Sequence, residues 1–375
     1  MMKTYKYKLY QHKRNRYLKR QINLAGIIYN HCIALHRRYY RLYGKTLNVY
    51  QLMKHLTKLK KLPKYSHWNS LGSQAIQDIA QRINRGYTLF FRNRERGIKA
   101  SPPSFKKIKK YKSFTLKQAG YTLYPDNRVR IGDRIYKYHK SREMEGKVKT
   151  VTVKRDTLGD LYIYVVCETS GNEILPRTGK SVGYDFGLRT FLTASDGNDI
   201  ASPEFFKEEQ NRIAKLNRAL SKKQEGSNHY KQARRRLAKA HKRIADKRQD
   251  FHFKLALHLA GEYATICIED LNIKAMQRLW GKKVSDLSHS SFVTILKHQC
   301  SKTGSMVVEI PRFYPSSKIC SVCEDVYEEL TLGDRKWTCP NCNSQHDRDR
   351  NAAINIHRVG ASTLGVETVR PAEAG

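Results

Sequence analysis

Four cysteines near the C-terminal end have the spacing that a single metal site requires. They fall as Cys320-x2-Cys323 and Cys339-x2-Cys342, with fifteen residues between the pairs. Each pair makes a knuckle offering two thiolates, and two knuckles complete a tetrahedral Zn²⁺ site. One structural zinc in a ribbon-like element over residues 319–345 is therefore expected. Seven residues past Cys342 stands Asp349, opening a helix expected over residues 350–358, where Ala352, Ala353, Ile354 and Ile356 suit close packing. A carboxylate there meets the positive end of the helix dipole. It is either the N-cap of that helix or a group kept ionised for chemistry.

Two more acids occupy comparable places. Asp185 lies in SVGYDFGLRT, where an apolar strand meets Gly187, and Glu269 ends the apolar run of ATICIEDL. An acid in or at the end of a buried strand is costly unless it is paired or binds metal. Any one of the three reads equally well as a paired structural acid. Together, in a chain of net charge +39, they point to two shared Mg²⁺ ions, roughly 3.5–4 Å apart, arranged for in-line phosphodiester hydrolysis. Asp347 competes for the third position, but Asp349 directly precedes the expected helix. Asp270 reads as a cap or an ion-pair partner.

The totals agree with such a substrate. With 72 Lys and Arg against 33 Asp and Glu, the surplus calls for a polyanionic partner, nucleic acid first and an anionic membrane surface second. No run approaches the ~18 apolar residues of a membrane span, and MMKTYKYKLY lacks the apolar stretch of a signal peptide. Cys32, Cys167, Cys267 and Cys300 sit singly in apolar segments, as buried free thiols of a reducing compartment do. At 375 residues the chain has room for two or three domains.

The elements that must position these groups follow from periodicity. Residues 4–10 alternate as a strand. Leu18, Ile22, Ala25, Tyr29, Cys32, Leu35, Tyr39 and Leu42 then form a helical stripe closed by Gly44. A second helix carries Val49, Leu52, Leu56 and Leu59 up to Pro63, and a third runs from a Ser70 cap through Ile76, Ile79, Ile83, Tyr87 and Phe90. From 113 to 168 the period returns to two, with 148–154 and 161–168 as a hairpin. The N-terminal strand is expected to begin a β-domain that the helices interrupt, and Gly171, Pro176 and Gly179 mark a linker. Beyond it come a strand pair (181–187 and 190–195), a basic helical hairpin (203–224 and 227–263), a buried strand (264–268), a helix (290–301) and a strand (306–310). On the hairpin, Arg234 and Arg235 belong to a positive run suited to phosphates. The small, polar tail over 361–375 reads as flexible.

In order and context, YDFGL, IEDLNI, the two CxxC pairs and DRDRNAAINI resemble the RuvC motifs and zinc finger of TnpB, a transposon-encoded, RNA-guided nuclease family related to type V CRISPR effectors. The resemblance covers nearly the whole chain. It implies an α+β multidomain protein with an RNase H-like (RuvC) core over 180–318 and 346–360, interrupted by the zinc ribbon. It also implies a wedge-like β-barrel over 1–12 and 100–178 that carries a helical recognition lobe over 13–99. Asp185, Glu269 and Asp349 match the three RuvC acids. Asn343 stands where the family usually has Gly, and Asn tolerates the left-handed backbone. The implied partners are a guide RNA and double-stranded target DNA, with no membrane, at the nucleoid of a prokaryotic cytoplasm. Base pairing would read the target, and the protein would read a short adjacent motif. For that motif Gln74, Gln77 and Gln81 are candidates, with Tyr50, Lys54 or Thr115 nearby; the alternative is an ordinary polar helix face. Competing functions are a guide-independent RuvC-like resolvase or transposase, and a zinc-ribbon DNA-binding regulator without chemistry. Such a regulator has no need of three acids facing phosphates.

Overall fold

The computed structural model describes residues 2–170, 179–203, 205–270, 281, 287–331 and 333–363, without the side chains of 206 and 208. The expected linker residues Gly171 and Pro176, and the expected tail beyond 363, lie outside them. The chain divides into two units, Met1–Gly171 and Asn172–Gly375.

In the first unit the alternation of the opening residues makes strand β1 (Met2–Leu9), with Tyr5, Tyr7 and Leu9 buried and the lysines turned outward. Helices α1 (Asn15–Tyr43), α2 (Val49–Leu59) and α3 (Ser73–Glu95) follow. Six strands complete the unit: β2 (Ser113–Leu116), β3 (Tyr121–Tyr124), β4 (Arg128–Ile131), β5 (Arg134–His139), β6 (Lys147–Arg155) and β7 (Leu161–Glu168). Their order is β2-β6-β7-β1-β5-β4-β3, antiparallel throughout. β1 is paired on both sides, Thr4 with Val166 and Leu9 with Tyr138. The end strands β2 and β3 share no ladder, so by its pairing the expected barrel is an open sheet. Leu18, Ile22 and Cys32 of α1 and Ile79 of α3 share one apolar core with Phe114, Val153 and Ile163 of the sheet. Helices and strands expected as separate pieces thus bury one continuous interior.

The helix ends repay comparison with the sequence. α1 closes on Gly44, whose φ of 64° is left-handed, as expected of a C-cap glycine. α2 stops at Leu59, and Pro63 opens a 3-10 turn, Pro63–Leu71, instead of simply ending a helix. Ser70 lies inside that turn with its hydroxyl on the His67 carbonyl, so it is not the cap of α3, which starts after Gly72 without a side-chain cap. The reciprocal bonds of Asn48 and Gln51 that cap α2 went unread in the sequence.

The second unit holds β8 (Ser181–Phe186), β9 (Thr190–Ala194), β10 (Ile200–Ala201), α4 (Phe205–Ser221), α5 (Asn228–Glu262), β11 (Thr265–Glu269), α6 (His289–Thr303), β12 (Met306–Ile310), β13 (Lys336–Thr338), β14 (Gln345–Asp347) and α7 (Arg348–Ser362). Five strands form a mixed sheet in the order β10-β9-β8-β11-β12, with β11 parallel to both β8 and β12. Val182, Tyr184 and Phe186 point to one face, where Ile266, Ile268, Leu259 of α5 and Phe292 of α6 complete a core. α7 covers the opposite face. The hairpin of α4 and α5 turns at Gly226 (φ 85°), Ser227 caps α5, and Ile213, Ala240 and Ile244 close its interior. Among the described residues no helix is long and apolar enough to cross a membrane.

Candidate active site and metal centre

Parallel pairing of β8 with β11 sets Ser181 beside Thr265 and Gly183 beside Cys267. Side chains alternate along a strand, so Ser181, Gly183 and Asp185 share a face with Cys267 and Glu269. α7 lies on that face at unusually short range. A Cβ on Gly183 would stand 2.4 Å from the Ala353 carbonyl oxygen, and one on Gly360 would stand 2.4 Å from Cys267 Sγ. Ser181 Oγ and His357 Nε2 are 2.7 Å apart. The helix thus runs against the strand, His357 over Ser181 and Ala353 over Gly183. One turn further towards its start, Asp349 comes over Asp185. The glycine that lets the helix descend is what brings the third acid to the first.

The electrostatics agree with this placement. The Asp185 carboxyl is pushed up to about 7, by burial first, then by the charges of Asp349 and Glu269, with Arg348 opposing. Glu269 is also pushed up to about 7, by burial first and by its neighbour Asp270 second. Asp349 is held by two guanidinium groups: Arg335 Nη1 donates at 3.0 Å to Oδ2, and Arg348 Nη2 at 3.1 Å to Oδ1. Hard carboxylate oxygens whose charges repel one another are the donor set that Mg²⁺ or Mn²⁺ neutralises. Among the described residues, the four cysteines are the group whose ligand atoms all lie within 4.8 Å of one another; the acids converge less tightly, with Asp349 turned to its arginines. A cleft of about 250 Å³ opens beside Glu269, bordered by Phe186, His289, Ser290 and Thr294. A larger hollow of about 610 Å³ lies against α4 and α5 and contains none of the three acids.

Two neighbouring acids have other tasks. Asp347 caps α7, accepting from the amides of Asp349 and Arg350 at 3.1 and 3.0 Å. The reading of Asp349 as the N-cap is thereby corrected: the helix starts at Arg348, and Asp349 lies in its first turn with its carboxylate free of capping. Asp270 pairs with Arg312 at 2.7 Å, the ion-pair alternative expected for it. Arg335 and Arg348 were missed by sequence reasoning, although the alternation DRDR put a cation directly beside Asp349.

The cysteines fit zinc. Cys320 and Cys342 sulfurs are 3.6 Å apart, those of Cys323 and Cys339 3.5 Å, near the ~3.8 Å edge of a tetrahedron with 2.3 Å Zn–S bonds. The two knuckles repeat one turn. Cys320 and Cys339 carbonyls accept from the amides of Glu324 and Asn343, and these two residues take φ of 66° and 58°. Asn343 thus adopts the left-handed backbone for which it was judged suitable. The Ser344 hydroxyl and amide hold the Cys342 thiol down to about 6, which favours a thiolate. Burial pushes Cys320 the other way. His346 Nε2 approaches Cys320 Sγ at 3.1 Å, and Trp337, Leu330 and Tyr327 shield the sulfurs.

The candidates for reading nucleic acid scatter. Gln77, Tyr50 and Lys54 are exposed and Gln74 is half-buried; α2 rests on the helical core through Leu52 and Leu56. Gln81 accepts from Lys117, and the Thr115 hydroxyl is occupied by Arg82 at 2.7 Å and Thr152 at 2.8 Å. Gln81 and Thr115 both lie where α3 packs on β2, each engaged by other partners. Arg234 and Arg235 are exposed on α5, without an ion pair among the described residues.

Comparison with known proteins adds to this geometry. A family profile described as "Probable transposase" matches residues 164–279, and one described as "Cas12f1-like, TNB domain" matches 289–356. A Streptomyces pristinaespiralis protein named "Putative RNA-guided DNA endonuclease" is 31% identical over 369 residues, covering 94% of this chain and 88% of that protein. "Putative RNA-guided DNA endonuclease InsQ" of Escherichia coli K12 is 25% identical over 376 residues, covering 94% and 92%. The structure of a Cas12f1–sgRNA–target DNA complex aligns with a TM-score of 0.60 at 14% identity, over 92% of this chain and 83% of that one. At that identity the likeness is one of fold.

Proposed function

The chain belongs to the TnpB family, and from that premise we propose that it is an RNA-guided DNA endonuclease of a transposon. A guide RNA pairs with one strand of double-stranded target DNA beside a short adjacent motif, and the unit Asn172–Gly375 hydrolyses the DNA. In this reading residues 180–318 and 346–360 are an RNase H-like RuvC core, and 319–345 a zinc ribbon that contacts the target. Residues 1–12 and 100–178 serve as the wedge and 13–99 as the recognition lobe. Gln74, Gln77, Gln81, Tyr50, Lys54 and Thr115 belong to motif reading, and Arg234 and Arg235 to phosphate contact. A DNA substrate of this kind puts the protein at work on the nucleoid, in the prokaryotic cytoplasm.

The observation that carries the reading is the descent of α7 onto Gly183, which brings Asp349 towards Asp185, whose carboxyl also feels the charge of Glu269 on the paired strand. These three carboxylates are the groups that would hold two Mg²⁺. When bound, such a pair supplies the charge that stabilises the attacking and leaving oxygens of in-line phosphodiester hydrolysis. The raised carboxyls of Asp185 and Glu269 must give up their protons before they can hold cations. For Asp349 to turn fully to the cluster, Arg335 and Arg348 must release it. The cysteines would hold one Zn²⁺ that shapes the ribbon and takes no part in the reaction.

Sequencing the RNA that copurifies with the chain tests the guided part of the reading: a discrete transcript is expected, and a random sample of cellular RNA would favour an unguided resolvase or transposase. Asp185→Ala and Glu269→Ala should each abolish cutting of a matched target while leaving RNA and DNA binding intact. Continued cutting by either variant would remove that acid from the mechanism and overturn the site assignment.

A further inference from the structure

Two buried asparagines on α7 have no place in the mechanism above. Asn351 is 1% exposed and Asn355 is fully buried, while the neighbouring Ala352, Ala353 and Ile356 already supply the apolar contact with the sheet. An amide buried on a helix is retained at a cost unless its hydrogen bonds are met, so its partners show what it is for. Asn351 Oδ1 accepts from the Ser321 amide at 2.9 Å, and its Nδ2 donates to the Ile319 carbonyl at 2.7 Å. Asn355 Nδ2 donates to the Ile319 carbonyl at 2.7 Å and to the Ser316 carbonyl at 2.8 Å. One further turn along, Arg358 binds the Ser321 carbonyl and pairs with Glu324 at 2.9 Å.

Positions 351, 355 and 358 make one stripe along a helix. Every partner belongs to the first zinc knuckle or the strap leading into it, and Ile319 and Ser321 are the residues on either side of Cys320. The peptide groups flanking a zinc ligand are thus fixed to the helix that presents Asp349, two residues ahead of Asn351. A second route closes the ring, because His346 touches Cys320 Sγ and Asp347 caps the same helix.

From this ring we infer that Asn351 and Asn355 are positioning residues through which the zinc knuckle sets the depth and rotation of Asp349 over Asp185. The inference rests on the acid cluster proposed above. A zinc held by the cysteines would then act beyond local folding: by fixing Cys320 it would also fix the third acid through Ile319, Ser321 and the two asparagines. Outer-sphere partners of this kind typically change metal affinity or activity by ~10–100-fold.

The test uses the full-length chain with its copurified RNA. Asn351→Ala is compared with Asn351→Asp, which keeps an acceptor for the Ser321 amide but loses the donor to Ile319, and with Asn355→Ser. Three quantities are read: Mn²⁺ affinity by electron paramagnetic resonance, the thiolate charge-transfer band of the Co²⁺-substituted cysteine site, and cleavage of a matched target against Mg²⁺ concentration. The inference expects Mn²⁺ affinity to weaken by ~10-fold or more with the Co²⁺ band and target binding kept. The Mg²⁺ requirement of cleavage should rise in step, and the changes from Cys320→Ser and Asn351→Ala should combine to less than their sum. Unchanged Mn²⁺ affinity in variants that keep the Co²⁺ band would overturn it, as would loss of Mn²⁺ affinity only in proportion to loss of folded protein. Should Asn351→Ala fail to fold, the same readings on Asn355→Ser decide. Failure of the acid reading looks different: Asp185→Ala and Asp349→Ala would then leave Mn²⁺ affinity and cleavage untouched.

Discussion

Gly183→Ala is the sharpest perturbation of the candidate active site, because it adds one methyl group where the structure has no room. That Cβ would lie 2.4 Å from the Ala353 carbonyl oxygen, 2.5 Å from the His357 amide nitrogen and 2.6 Å from His357 Cβ. Two of the three are backbone of α7, so no rotamer change relieves the clash. Ordinary contact begins near 3.4 Å, and the helix must therefore rise by about 1 Å. Overpacking of this sort costs ~1–3 kcal/mol, which for a unit of roughly 200 residues lowers Tm by about 2–4 °C for each kcal/mol. The larger effect falls on chemistry. Asp349 rises with the helix while Asp185 and Glu269 stay in the sheet, and a 1 Å misplacement of reacting groups can cost ~10²-fold in rate. Single-turnover cleavage and a melting curve measure both effects on one preparation. Gly261→Ala, within α5 and with nothing within 4 Å of its new Cβ, is the control and should gain up to ~1 kcal/mol with cleavage unchanged. A Gly183→Ala protein that melts and cuts like its parent would show that α7 does not rest on β8 at this distance.

Cys320→Ser, or chelation of zinc, is expected to release metal and lower the melting temperature of the second unit, because ligand binding and folding are linked at such sites; metal analysis alongside calorimetry checks it, and equal zinc content with an equal Tm refutes it. Asp185 and Glu269 have carboxyls raised from 3.8 and 4.5 to about 7. Their contribution to stability is therefore complete below about pH 4 and is lost as pH rises through 7. Thermal melts without divalent cations should show this fall, and added Mg²⁺ should stabilise more at pH 8 than at pH 5; the opposite order would contradict the clustering of the acids. Affinity for a nucleic-acid duplex should drop steeply between 50 and 200 mM salt, with Arg234→Ala and Arg235→Ala each reducing the slope of log K against log salt by about 1; a flat response would exclude phosphate contact by α5.

Local chemistry was the most legible part of the sequence. The cysteine spacing led directly to the observed sulfur cluster, and the alternation of residues 148–154 and 161–168 became the hairpin of β6 and β7. The apolar strands ending in Asp185 and Glu269 were readable because hydrophobic runs bounded by glycine or acid have few other uses. Contacts made across the chain were harder. Nothing local says that Asn48 and Gln51 will bond reciprocally, that Pro63 starts a 3-10 turn, or that Ser70 falls within it. The last helix was expected from residue 350 and starts at Arg348, so capping falls to Asp347, because boundaries drift by a residue or two when periodicity is the only guide. The helices of residues 13–99 read as a separate lobe because helical and strand periods differ, yet their apolar stripes fill the same core as the sheet. Gly183 and Gly360 carry no local signal in the sequence; their meaning lies in the distance to a neighbour far along the chain.

The descent of α7 also bears on how the protein is made. Most of the second unit is synthesised between Asp185 and Asp349, and the mixed sheet can be assembled before α7 has left the ribosome. Until that helix arrives and seats itself on Gly183, the nascent chain presents its basic hairpin to nucleic acid with one acid of the cluster missing. On the proposed acid cluster, a chain without this helix would bind but not cut, and competence would come only once α7 is seated.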